Sequence, residues 1–120
     1  MCTRTFREEH RDIEVRLDDL GAALGSRADW VEQFRAAYAA ATSHYEREDV
    51  FFRSLLRQLP GPLNKMLAQH AEAIEIALHI EDLVGIGHMS DAVALTRRFH
   101  AIAQHNIIEE ERDVFPLLTT

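Results

Sequence analysis

Apolar residues recur along this chain at intervals of three and four positions, which is the spacing of amphipathic α-helices. A capping box at Thr5–Glu8 opens a first helix, and its apolar run ends at Leu24–Gly25. A second capping signal at Ser26–Asp29 opens a long helix of roughly 30 residues, which Pro60 and Pro62 end because proline cannot continue a helix.

Two further helices follow the proline pair. Pro62 suits the first turn of a third helix, which runs to about Val84 before Gly85–Gly87 interrupts the pattern. Ser90 is placed to cap a fourth helix, and we expect that helix to end near Phe115–Pro116. Short connections between long helices make neighbours antiparallel, so the pattern predicts an all-α fold, an antiparallel up-down-up-down four-helix bundle.

Each predicted helix has an inward stripe in which polar residues interrupt apolar ones. In the first helix the stripe is Phe6, His10, Ile13, Leu17, Leu20 and Leu24. In the second it is Trp30, Phe34, Ala37, Ala41, His44, Glu48, Phe51 and Leu55. In the third it is Leu63, Leu67, His70, Ile74, Ala77 and Val84, and in the fourth Leu95, Phe99, Ile102, His105 and Glu109. Every stripe therefore contains a histidine, and two contain a glutamate as well.

Composition narrows the class of protein. The 120 residues suffice for one packed domain, which we assign to residues 1–120, and 47% apolar with 28% charged residues is typical of a globular chain. A net charge of -7 argues against nucleic acid or an anionic membrane as a partner. No uncharged stretch is longer than Ala36–Tyr45, which is too short to span a bilayer. Because the single Cys2 cannot form an intramolecular disulfide, we expect a cytoplasmic protein.

The inward polar residues have the spacing of metal ligands. In the second and fourth helices a histidine is followed four positions later by a glutamate, and residues four apart on a helix share one face. The histidines of the first and third helices precede these by 34 and 35 residues, so the chain reads as two similar hairpins. The candidate metal ligands are His10, His44, Glu48, His70, His105 and Glu109.

The two glutamates carry most of this interpretation. A single histidine on an apolar face is more often a satisfied core residue than a ligand. A buried carboxylate without a compensating cation is costly, however, and no inward lysine or arginine is clearly placed to pair with Glu48 or Glu109. Glu110 competes with Glu109, because a His-x4-Glu spacing also stays at the edge of the stripe. The sequence favours Glu109 and leaves Glu110 as the alternative.

The order and spacing of these ligands, with Glu9-His10-Arg11 near the start and a Glu-rich approach to Phe115-Pro116, resemble the hemerythrin-like HHE cation-binding family. Ferritin-like di-iron bundles use Glu-x-x-His instead, and no histidine here has a glutamate three positions earlier. The resemblance implies a non-haem centre of two iron ions, bridged by oxo or hydroxo, with histidines as terminal ligands and the two glutamates bridging.

One position departs from the oxygen-carrying hemerythrins. Those proteins have a second histidine one turn after the first on the third helix, where this chain has Ile74. We therefore expect reaction with small oxidants, foremost hydrogen peroxide decomposition, in a response to oxidative stress. Two alternatives stay open at this point. One is a module that binds, senses or stores oxygen, nitric oxide or iron without catalytic turnover, and the other is a structural bundle holding zinc.

Overall fold

The computed structural model describes residues 3–26 and 29–118. Its four long helices are α1 (Thr3–Ser26), α2 (Trp30–Ser54), α3 (Pro60–Gly85) and α4 (Met89–Glu109), and α4 runs on into a π-helical segment, Glu110–Val114, and a short helix, α5 (Phe115–Leu118). The predicted all-α, four-helix fold is confirmed. No helix among the described residues is long and apolar enough to cross a membrane.

Contacts between neighbouring helices run in opposite order along the chain. Asp49 of α2 contacts His70 of α3, whereas Arg35, earlier on α2, pairs with Glu81, later on α3. The same reversal is present between α1 and α2 and between α3 and α4. These contacts are those of antiparallel neighbours, as short connections require.

Several helix boundaries differ from the prediction. α1 begins at Thr3, so Thr5 lies inside the helix and does not cap it. α2 has 25 residues and ends at Ser54, because the chain turns over residues 55–59, where the Leu59 amide donates to the Leu55 carbonyl at 3.2 Å. The early end of α2 brings Glu48 to the level of the α3 histidine. Arg27 and Ala28 of the second capping signal, and Cys2, lie outside the described residues.

The later helices also start earlier than expected. α3 begins at Pro60 and not at Pro62, and its first turn tolerates proline because those amide groups have no partner within the helix. α4 begins at Met89, so Ser90 is inside the first turn, and the preceding Gly87 adopts a φ of 79°, a conformation that favours glycine. Each shift is a matter of one or two residues and leaves the topology unchanged.

On α4, Phe99 is buried as predicted, but elsewhere the buried face is displaced by one residue from the predicted stripe. Thr96, Ala103 and Asn106 are buried there, whereas Leu95 and Ile102 pack half-buried along its flank. In the pairs Leu95–Thr96 and Ile102–Ala103, the pattern predicted that the more apolar residue faces inward, but the smaller residue faces the other helices. Thr96 satisfies its hydroxyl locally by donating to the Ala92 carbonyl at 2.7 Å, so burying it leaves no unpaired donor.

Among the described residues, two apolar clusters occupy the interior, and the polar stripe lies between them. On α1, Phe6 belongs to the smaller cluster at the Pro60 end, and Ile13 belongs to the larger one. His10 lies between these two residues in sequence. α2, α3 and the end of α4 repeat this order, each with a buried histidine or carboxylate between an aromatic or aliphatic residue of one cluster and a residue of the other. The candidate site is thereby enclosed by apolar side chains on both sides along the bundle axis.

Candidate metal centre

Five polar side chains meet between the two apolar clusters, one or two from each of α1, α2 and α3 and one from the π-helical continuation of α4. They are His10 of α1, His44 and Glu48 of α2, His70 of α3, and Glu110 at the start of the π-helical segment. Each is at most 1% exposed. The structure thus brings together four of the six residues singled out in the sequence, together with the glutamate that stood as the alternative.

The two glutamates each reach across the centre. The Oε1 and Oε2 atoms of Glu110 lie 3.0 Å from His10 Nε2 and 2.7 Å from His70 Nε2, respectively. Glu48 faces the same two histidines, at 3.5 Å from His10 and 3.2 Å from His70, and its Oε1 also lies 2.9 Å from His44 Nε2. Every imidazole therefore points its Nε2 atom at carboxylate oxygen.

The outer nitrogens of the same histidines are held by a second set of carboxylates. His44 Nδ1 lies 2.6 Å from Glu9, and His70 Nδ1 lies 2.7 Å from Asp49. His10 Nδ1 lies 2.8 Å from Glu111. With Nδ1 donating to a carboxylate, the neutral imidazole keeps its lone pair on Nε2, directed inward, which is the usual arrangement of a metal-binding histidine.

The hydrophobic pattern does not mark these three outer carboxylates, although the sequence contains a signal for them. Each one is adjacent in sequence to an inward residue: Glu9 precedes His10, Asp49 follows Glu48, and Glu111 follows Glu110. Adjacent positions on an α-helix point about 100° apart, so such a neighbour lies at the border of the inward face and can reach a ligand on another helix.

The π-helical segment determines which acidic residues of the Glu109–Glu111 run enter the site. Its wider turn allows consecutive residues to approach the same neighbour, and Glu110 and Glu111 contact the two nitrogens of one His10 ring. Single π-helical turns inside α-helices are rare and frequently accompany functional sites. The segment also buries Val114 and directs Phe115 onto the centre.

The expectation that His105 and Glu109 face the same centre disagrees with the structure. The His105 side chain is 62% exposed, and its Nε2 lies 3.2 Å from Glu109 Oε1. Glu109 is turned towards α3, where its Oε2 accepts from Lys65 at 3.0 Å and Gln69 at 3.2 Å. The physical reason is the one-residue displacement of the α4 face, which buries Asn106 where His105 was expected.

Aromatic rings cover the histidines and limit access to the centre. Tyr45 stacks on His70 with ring centroids 4.2 Å apart and planes 12° apart, and Phe115 stacks on His10 at 5.4 Å and 11°. Phe6 meets the edge of His44 at 5.8 Å. The burial of Tyr45 and the nearby carboxylates raise the pKa of its phenol, so it stays neutral.

Without a metal, protons link these groups. Burial alone would lower the pKa of His10, but the neighbouring Glu110 and Glu48 carboxylates outweigh burial and raise that pKa to about 10. The pKa of His70 is raised well above its ordinary value in the same way, against burial, by Asp49 and the two glutamates. Burial would raise the pKa of Glu48, but the histidines hold it well below its usual range, whereas burial and the charge of Glu48 raise the pKa of Glu110.

The residues fit a metal ion. Both Glu48 oxygens and His44 Nε2 are buried without a hydrogen bond among the described residues, since their 2.9 Å contact lacks hydrogen-bond geometry. Such atoms are costly unless a cation lies between them. Four residues, His10, His44, Glu48 and Glu110, offer one ligand atom each within 4.8 Å of one another. Imidazole nitrogen and carboxylate oxygen are ligands that iron and zinc accept.

Comparison with known proteins agrees with this reading of the site. A family model described as the hemerythrin HHE cation binding domain matches residues 2–118, nearly the whole chain. No curated protein and no solved structure gives a significant match. The residue types at the centre, histidine and glutamate on four helices, are those of a cation site. The chain therefore belongs to the hemerythrin HHE cation-binding domain family.

Proposed function

We propose that this domain holds two iron ions and decomposes hydrogen peroxide. The observation that carries the proposal is the way the two buried glutamates divide their oxygens. In both Glu48 and Glu110, one oxygen faces His10 and the other faces His70. Carboxylates that bridge two cations present their oxygens in this way, one to each ion, whereas a single ion would leave one side of the centre without a partner.

The number of protein ligands favours a reactive centre over a saturated one. Three imidazole nitrogens and four carboxylate oxygens converge here, fewer than the roughly twelve positions of two six-coordinate ions. Ile74 stands where the oxygen-carrying hemerythrins have a second histidine on α3, and His105 is turned to the surface. Open positions on iron with histidine and carboxylate ligands are the arrangement that activates oxygen species.

Iron bound here would supply the electron exchange by which one peroxide is reduced to water and another is oxidised to oxygen. The chain itself holds the ligands in place and restricts what can enter. Phe6, Phe115 and Tyr45 pack on the three histidines, and all three rings are at most 3% exposed. A small, uncharged molecule such as hydrogen peroxide suits an enclosure of this kind better than a bulky substrate.

The test combines iron content with oxygen evolution. Protein expressed with ample iron should contain about two iron ions per chain by elemental analysis and should evolve oxygen from peroxide faster than the same concentration of free iron. Glu110→Gln should lose iron and activity. Glu109→Gln, a change in the adjacent residue that faces Lys65, should keep both.

Two outcomes would contradict the proposal. One zinc and no iron per chain would indicate a structural site. Iron-loaded protein that binds oxygen, nitric oxide or further iron reversibly, with no peroxide turnover above free iron, would indicate a binding or storage module.

A further inference from the structure

The three outer carboxylates differ in how they are neutralised. Glu111 contacts both Arg7, at 3.6 Å, and Arg11, and Glu9 accepts from Arg47 Nε at 2.7 Å. For Asp49, in contrast, no lysine or arginine within residues 3–26 and 29–118 comes within 4 Å. The three carboxylates are otherwise alike, with side chains 21–25% exposed and 2.6–2.8 Å from a histidine Nδ1.

A carboxylate behind an imidazole acts on a metal in two ways. It fixes the ring orientation and tautomer, and its negative charge makes the inward nitrogen a stronger electron donor, which favours the more highly charged state of the ion. An arginine beside that carboxylate opposes the second effect, since its positive charge lies only a few ångströms farther away, but it leaves the hydrogen bond to the imidazole in place. Orientation and charge can therefore be separated by experiment.

We propose that these outer carboxylates are positioning residues that set the preference of the centre for ferric over ferrous iron, and that Asp49, which lacks an arginine, contributes most. This inference rests on the proposed iron centre. It assigns a role to Arg47 as well, because the arginine weakens the contribution of Glu9 by neutralising it. The number of arginines beside each carboxylate predicts the order of their effects on the ferric-over-ferrous preference. Asp49 should have the largest effect, Glu9 the next, and Glu111, which has two arginines, the smallest.

The experiment measures the reduction potential of the iron-loaded variants and the zinc affinity of the same proteins by competition with a chelator. Asp49→Asn keeps an oxygen that can accept from His70 Nδ1 but removes the charge. It should reduce the ferric-over-ferrous preference about tenfold, which corresponds to a potential about 59 mV higher. Glu9→Gln and Glu111→Gln should raise the potential less. Zinc affinity should fall by about 10- to 100-fold at most, the usual effect of such partners.

Arg47→Gln provides the decisive comparison, because it should lower the potential and not raise it. A merely structural role for Glu9 and Arg47 predicts that both substitutions loosen His44 and shift the potential in the same direction. The matched control is Asp113→Asn, an exposed acid of the π-helical segment that pairs with Arg112 and contacts no histidine in the described part of the chain. It should change neither potential nor zinc affinity.

The outcomes separate this inference from the proposed function. The inference would be overturned if the three carboxylate variants left the reduction potential unchanged, as the control should. It would also be overturned if Glu9→Gln and Arg47→Gln shifted the potential in the same direction, even if peroxide is decomposed. Potentials that follow the expected order in a protein without peroxide turnover would support the inference and contradict the function. A wild-type protein that takes up neither iron nor zinc would overturn both.

Discussion

Raising the pH should destabilise the metal-free protein, and His10 allows the size of the effect to be worked out. Its pKa lies at about 10 in the folded chain against 6.5 for an unperturbed histidine. At about 1.4 kcal/mol per pKa unit, the difference corresponds to about 5 kcal/mol of free energy of unfolding. That contribution is fully present below pH 6.5, and it is lost as the pH rises from 6.5 through about 10, because the folded chain then retains protons that the unfolded chain has released.

Two other groups of the centre act in the same direction. The pKa of His70 is raised above its ordinary value and that of Glu110 above 4.5, so the folded state again binds more protons than the unfolded state as the pH rises. Glu48 acts in the opposite direction, since its lowered pKa contributes stability above pH 4.5 that is lost in acid. Metal-free protein should therefore be most stable between about pH 4.5 and 6.5. Domains of this size have only about 5 to 15 kcal/mol of stability to lose.

Urea denaturation followed by circular dichroism, in the presence of a strong chelator and at intervals between pH 5 and 10, measures this directly. The free energy of unfolding should fall steadily above pH 6.5 in the wild type. The fall should be smaller in His10→Gln but unchanged in His79→Gln, which alters an exposed histidine of α3. A stability that is constant within about 1 kcal/mol from pH 6.5 to 9 would refute the reasoning.

Three further predictions concern the centre and its surroundings. Removing metal with a chelator at pH 7 should lower the melting temperature, because an ion bound only by the folded state adds stability that grows with the logarithm of its saturation. Equal melting temperatures with and without chelator in calorimetry would contradict a metal site. Phe115→Ala should cost about 3 to 5 kcal/mol in urea denaturation, since the ring is fully buried against His10, whereas Leu117→Ala, at a half-exposed neighbour, should cost much less. Ile74→His should lower peroxide turnover if its imidazole occupies an open metal position, and an unchanged rate together with unchanged iron absorption would show that it does not.

The first two helices show how far the apolar pattern determines the fold, whereas on α3 only Leu63, His70 and Ala77 of the predicted stripe are buried and Leu67, Ile74 and Val84 are half-buried. All six residues predicted to face inward on α1 are buried, including His10. On α2 the first six, including His44 and Glu48, are buried too. On these helices adjacent residues often differ strongly in hydrophobicity, with a bulky apolar side chain beside a charged one. Rotating the helix by one residue would therefore expose a large apolar surface to water.

The fourth helix shows where the pattern stops being decisive. In the pairs Leu95–Thr96 and Ile102–Ala103 both residues can be buried, the threonine because its hydroxyl donates within the helix, so either phase keeps charged residues out of the core at these positions. The choice depends on side-chain volume at the contact with neighbouring helices, which a single sequence does not display. The π-helical turn adds a second change of phase at Glu110. The selection of Glu110 over Glu109 follows from these two features of packing and not from hydrophobicity.

The same contacts that hold protons in the metal-free protein also prepare it for metal. His10 and His70 take up protons because buried carboxylates surround them, and those carboxylates are the ligands that an ion would share with the histidines. Metal ions bound here would therefore take the place of protons within a set of carboxylates and imidazoles that is already assembled. Since metal binding must displace these protons, its apparent affinity rises with pH. The pH range in which the metal-free fold weakens is thus the range in which metal binding should be strongest, and a bound ion would then join the helices at this level in place of the protons.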